Sequence, residues 1–165
     1  MNVQTNVYSN YDLQPYTEIN GYEDQAFDGY DQIVEELLKS INGKKRILVC
    51  DCYPGVDKEE VLEHFKNLNP VLIIDTDDCA YEEAKLTEMF ADYLTEDRVF
   101  GVMCHKSLED CFCSERLQAA KNQLEQNKNG IVLVIGTGAS FITFGDIYVY
   151  FDMARWELQL RYRNA

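Results

Sequence analysis

The sequence predicts an α/β domain: a mostly parallel, five-stranded sheet covered by helices on both faces, three layers in all. Short, continuous apolar runs alternate with segments of helical spacing, which is the pattern of βαβ units whose sheet is buried on both sides. The chain has 165 residues, 46% of them hydrophobic. A domain of that size buries roughly 70% of its unfolded surface, enough for one core. One domain over residues 26–165 is expected, preceded by an extended arm over residues 1–25.

The arm is rich in Asn, Gln, Asp and Tyr and has no period. Tyr8, Tyr11, Tyr16 and Tyr22 give it aromatic area to pack, either around the domain or on a neighbour. Tyr30, Ile33, Val34, Leu37, Leu38 and Ile41 then fall at helical spacing, closed by Asn42-Gly43 as a C-cap. The run RILVCD at 46–51 is the first strand, followed by a Pro-Gly turn and a helix through Val61, Leu62, Phe65 and Leu68. The run VLIID at 71–75 leads through an acidic turn into a helix carrying Leu86, Met89, Phe90 and Tyr93. A third strand is expected at residues 98–103, then a helix through Leu117, Ala120 and Leu124 ending at Asn129-Gly130. IVLVI at 131–135 is the fourth strand. A loop over residues 136–145, a strand at 146–151 and a helix from Met153 to Arg163 complete the chain. Met153, Trp156 and Leu160 make a stripe on that helix, the spacing of a core face.

Fifteen basic residues against twenty-nine acidic ones leave a net charge of −14. That mean field repels phosphate backbones and anionic lipid, so neither nucleic acid nor a membrane is expected as a partner. The only dense basic group is Arg155, Arg161 and Arg163. No segment has the length and apolarity of a membrane span or a secretory leader, so a cytoplasmic protein is expected. Its six cysteines read as reduced thiols, with Cys50 and Cys52 packed on one strand face.

Ligands of open parallel sheets bind beyond the carboxyl ends of the strands. The first such segment, DCYPGVDK at 51–58, lies where a phosphate loop would lie, but the loop G-x-x-x-x-G-K-[ST] needs backbone amides and a hydroxyl. Here one glycine remains, Pro54 has no N–H, and Glu59 follows Lys58. A Pro-Gly turn with Asp57 capping a helix is the plainer reading. Lys58 and Asp75 are the catalytic candidates, and Tyr53, Gly55, Gly136, Gly138, Arg155 and Arg161 the ligand-binding ones. Asp75, Asp77 and Asp78 form the acidic group that a hard cation would need, although Asp at a strand end more often caps or turns. Cys104, His105, Cys111 and Cys113 do not follow a paired zinc-knuckle spacing. No metal site is assigned. His64 and His105 have no nucleophile elbow to serve, so no hydrolytic triad is expected.

The segments YPGV at 53–56, LTEM at 86–89, LTEDRVFG at 94–101 and above all GDIYVYFDMARWELQLRYR at 145–163 carry a family likeness. From about Tyr16 onward the chain resembles the N-terminal domain of the long bacterial class I mannose-6-phosphate isomerases (phosphomannose isomerases). The resemblance implies a P-loop-kinase-like domain of the nucleoside and uridine kinase type whose phosphate loop has decayed. It also implies a downstream cupin barrel that holds zinc and isomerises the sugar phosphate; this domain itself would carry no cofactor. Arg155, Arg161 and Arg163 fall where such kinases carry lid arginines that clamp phosphates. The expected role is a non-catalytic regulatory or assembly module, partnered by the cupin domain in cis or by an oligomeric neighbour. The alternatives are a nucleoside or sugar kinase with an atypical loop, and a module that binds a phosphorylated sugar.

Overall fold

The computed structural model describes residues 15–42, 44, 46–97 and 100–164. Its described elements are α1 (Gly29–Ser40), β1 (Ile47–Cys52), α2 (Lys58–Phe65), β2 (Leu72–Asp75), α3 (Glu83–Phe90), α4 (Ser114–Gln126), β3 (Val132–Gly136), β4 (Ile147–Phe151) and α5 (Arg155–Asn164). The four strands form one parallel sheet in the order β2-β3-β1-β4.

Alternate residues along the strands feed two cores. Val49, Ile74, Val132 and Val134 pack with Leu117, Ala120 and Leu124 of α4. Leu48, Cys50, Cys52, Leu133 and Ile135 pack with Val34 of α1 and with Val61 and Phe65 of α2. Phe65 is the hub of the second core, with Tyr30 and Phe151 set edge-on to its ring. Burial on both sides is why β1 and β3 read as unbroken apolar runs.

Connection handedness decides which helix covers which face. The chain steps from β1 across β3 to β2 with α2 on one face. It steps back from β2 to β3 with α4 on the other face. From β3 it continues in that second direction over β1 to β4, and Ala139 and Ile142 of the connection lie in the α4-side core. Reversal of direction and change of face go together, as a single right-handed sense requires.

One expected strand is corrected. Among the described residues the sheet has four strands, and residues 100–107 are irregular. Phe100 and Met103 stand 75% and 76% exposed. At Phe100 the backbone is held by local polar bonds instead of a ladder: Phe100 N donates to Asp97 Oδ1 at 3.0 Å, and Thr95 Oγ1 donates to Phe100 O at 3.1 Å. Side chains of this type offer the backbone an alternative to sheet pairing. Arg98 and Val99, the start of that expected strand, lie outside the described residues.

The arm over residues 15–25 is exposed along its whole described length, with a short 3-10 turn at Glu23–Gln25. Within that stretch it does not wrap the domain; Tyr8 and Tyr11 lie outside the described residues. The residue that closes α1 is Ile41, in extended conformation, while Gly43 of the expected cap lies outside the described residues. Helical spacing puts Trp156 on a core face, but it is 64% exposed, and its ring meets the Arg163 guanidinium at 5.9 Å. No residue of α5 is buried. Among the described residues no helix is long and apolar enough to cross a membrane.

Candidate functional site

The strand order creates a crevice between β1 and β3. The connection leaving β1 passes to the α2 face and the one leaving β3 passes to the α4 face, so the carboxyl ends of two neighbouring strands diverge. Parallel sheets bind ligands at such switch points. Here the protein's own groups fill the crevice.

Asp51 is the centre of that filling. It continues the inward-facing alternation of β1 beyond Val49 and is only 8% exposed. Its Oδ1 accepts the Gly138 N–H at 2.9 Å; its Oδ2 accepts the Ser140 N–H at 3.3 Å and the Tyr148 hydroxyl at 3.1 Å. Gly138 has φ +77° and opens a short 3-10 turn, Ala139–Phe141, whose amides would otherwise point free. An anion placed at such amides is stabilised by their dipoles, and Asp51 is that anion. Gly138, a candidate glycine of this loop, thus serves an internal carboxylate. Gly136, at φ +122°, lets β3 pass against Thr76, whose buried hydroxyl donates to Ile135 O at 3.2 Å.

On the β1 side the chain turns at Tyr53 to Val56, closed by Val56 N to Tyr53 O at 3.1 Å, while Tyr53 N donates to Phe151 O at 2.9 Å. Asp57 then caps α2 by accepting the Glu60 N–H at 3.0 Å, as the capping reading anticipates. Gly55 adopts φ +96°, and the Leu158 side chain of α5 lies over it where a Cβ would stand. Arg161 Nη1 donates to Gly55 O at 3.1 Å and its Nε donates to Glu157 Oε1 at 3.0 Å. Arg161 and Gly55 are therefore brought together, while Arg155 is exposed at the start of α5.

Lys58 and Asp75 also meet. Lys58 Nζ donates to Asp75 Oδ2 at 2.5 Å and to Asp77 Oδ2. Asp75 accepts the Asp77 N–H at 2.9 Å through its other oxygen, capping the 3-10 turn after β2. Asp75 and Asp77 are thus taken up by a lysine and a turn, and among the described residues no three His, Cys, Asp or Glu side chains are arranged to hold a metal ion. His64 stacks flat on Tyr30, ring centroids 4.2 Å apart. Burial raises both β1 thiols, that of Cys52 to about 11.

Burial disfavours the Lys58 charge, and the hydrogen bonds to Asp75 and Asp77 outweigh it, so its pKa stands above the ordinary 10.5. A raised cationic pKa stabilises the fold fully below the unfolded value and loses that effect as pH rises through the folded one. Lys58→Met is expected to cost about 1 kcal/mol at pH 7. The gap from wild type should narrow above pH 10.5, read by urea denaturation of both proteins across that range.

Asp51 and Tyr148 are the residues that motif reading did not single out. The available signal was a lone carboxylate ending a buried apolar run, since a charge in that position requires donors.

A family model described as a domain of unknown function, DUF8485, matches residues 29–165. The chain belongs to the DUF8485 family. The match begins at the first residue of α1 and so leaves out the exposed arm. No curated protein and no solved structure matches the chain. The crevice geometry therefore supplies the basis for assigning this DUF8485 domain a role.

Proposed function

We propose that this domain is a non-catalytic regulatory or assembly module of a mannose-6-phosphate isomerase-like protein, built on a kinase-like α/β scaffold whose nucleotide crevice is closed. The observation that carries the non-catalytic part is the Asp51 carboxylate seated on the Gly138 and Ser140 amides. A second anion entering there meets a buried negative charge already seated on the Gly138 and Ser140 amides, and like charges in a low-dielectric site repel by several kcal/mol.

Three further features support the same reading. Pro54 removes an amide from the first turn, Leu158 covers Gly55, and Lys58 is neutralised by two carboxylates. The kinase-like scaffold is supported by the parallel sheet with β1 inside it and the first strand-to-helix turn at the switch point, the place a phosphate loop occupies. The link to an isomerase rests on the motif at residues 145–163.

The kinase alternative has one observation in its favour, the Lys58 to Asp75 pair at the strand ends, a cation and a carboxylate of the kind phosphoryl transfer employs. Titration calorimetry of the 165-residue chain with ATP and Mg²⁺, and separately with mannose 6-phosphate, decides between them. The expected result is no heat and no thermal shift at millimolar ligand. ATP turnover abolished by Lys58→Ala or Asp75→Asn would establish the kinase reading, and saturable heat with mannose 6-phosphate alone would establish the phosphosugar module. Gel filtration with a separately produced cupin isomerase domain tests the assembly role, where co-elution is expected.

A further inference from the structure

A second group of reactive side chains lies on the α4 side of β2, apart from the crevice. The turn Thr76–Cys79 runs into a single antiparallel bridge between Ala80 and Phe112. Two backbone hydrogen bonds bracket it: Cys113 N to Cys79 O at 2.8 Å and Tyr81 N to Cys111 O at 2.9 Å. Cys79 and Cys113 thus flank the bridge on the same side and share one backbone hydrogen bond; with ordinary covalent lengths on either side of it, that bond keeps their Cα atoms within roughly 6.7 Å of each other. A disulfide spans Cα separations of roughly 4.4–6.8 Å. Both residues are free thiols.

Their surroundings differ in the way a sequential oxidation needs. Cys113 is partly exposed and is the N-cap of α4, the 13-residue helix. The Arg116 backbone N–H, followed by the Arg116 side chain, lowers its thiol below the ordinary value, with Glu115 Oε2 at 3.5 Å opposing. A thiol so placed is the better nucleophile. Cys79 is 3% exposed and lines a cavity of about 300 Å³ together with Asp75, Asp78 and Arg116. Burial, then Asp78, raises its thiol and keeps it protonated. Cys111 is opposed by Tyr81, which has no sulfur to offer, and Cys104 lies in the irregular segment.

We propose that Cys79 and Cys113 form an oxidation site that closes to an intramolecular disulfide when a hydroperoxide is present. The Cys113 thiolate attacks the distal peroxide oxygen and the O–O bond breaks, giving a sulfenic acid and, with hydrogen peroxide, water after proton uptake. The Cys79 sulfur then attacks the sulfenic sulfur, the S–O bond breaks, the Cys79 proton leaves with the hydroxide as a second water, and the S–S bond forms. Two thiols lose two electrons and the peroxide gains them. The closed bond ties the turn that carries Asp75 and Asp77 to the start of α4.

The test treats the reduced 165-residue chain with one equivalent of hydrogen peroxide and maps its peptides without reductant. The expected product is a monomeric chain in which the Cys79 peptide is joined to the Cys113 peptide, reversed by dithiothreitol. Cys113→Ser should abolish that crosslink and Cys111→Ser should retain it. Serine is a good N-cap, so Cys113→Ser is expected to fold, and Cys79→Ala gives a second variant that should instead accumulate sulfenic acid trapped by dimedone. A crosslink that survives in Cys113→Ser, a Cys104 to Cys111 bond in its place, or only intermolecular bonds would overturn the proposal.

Discussion

Asp51→Ala is expected to lower stability by about 2–4 kcal/mol, the cost of leaving a buried amide without its acceptor and weakening two further bonds. The Gly138 N–H is the costly one, because Gly138 is buried and water cannot replace the lost oxygen. Ser140 is half-buried and Tyr148 exposed, so water recovers part of their loss. Asp51→Asn keeps an acceptor for Gly138 and should cost about half as much. Urea denaturation of the three proteins measures this directly. Equal midpoints for Asp51→Ala and wild type would mean that the loop amides do not depend on the carboxylate, and the closed-crevice reading would go with them.

Gly136→Ala is expected to cost about 3 kcal/mol, from backbone strain together with overlap. At φ +122° an L-residue is strained whatever the space, and here there is none: the new Cβ would overlap Thr76 Oγ1. Thr76 is fully buried and tied to Ile135 O, so it has nowhere to withdraw. The loss should be visible as a fall in the thermal midpoint. Gly136→Ala combined with Thr76→Ser tests the cause, because serine lacks the methyl that helps to lock the Thr76 side chain. If the strain is the whole effect, the double variant will recover nothing.

All four strands were legible as unbroken apolar runs, although only β1 and β3 are buried on both faces, while β2 and β4 each leave one face open. The same criterion misled at residues 100–103, where Phe100, Val102 and Met103 give an apolar run without a buried partner. Thr95 and Asp97, just upstream, satisfy that stretch of backbone locally. Trp156 shows the converse limit: helical spacing marks a face, but only neighbouring elements decide whether it is covered. The caps at Asp57 and Asp75 follow from local sequence, since their partners lie two or three residues away. The occupation of the crevice does not. Asp51 meets amides 87 and 89 positions later, and Arg161 meets a carbonyl 106 positions earlier. No local pattern records which loop folds back on which strand end.

The wiring of the sheet bears on how the chain reaches its native state. Ile47 pairs with Val132 and Leu48 with Ile147, so an inner strand is made early in synthesis and its partners are made late. The two strands available in the first half of the chain are not neighbours, because β3 must seat itself between them. Distant pairings of this kind slow folding and leave apolar edges open in the meantime. Nascent chains halted before Val132 are therefore expected to recruit chaperones, and ones extended past Phe151 to release them.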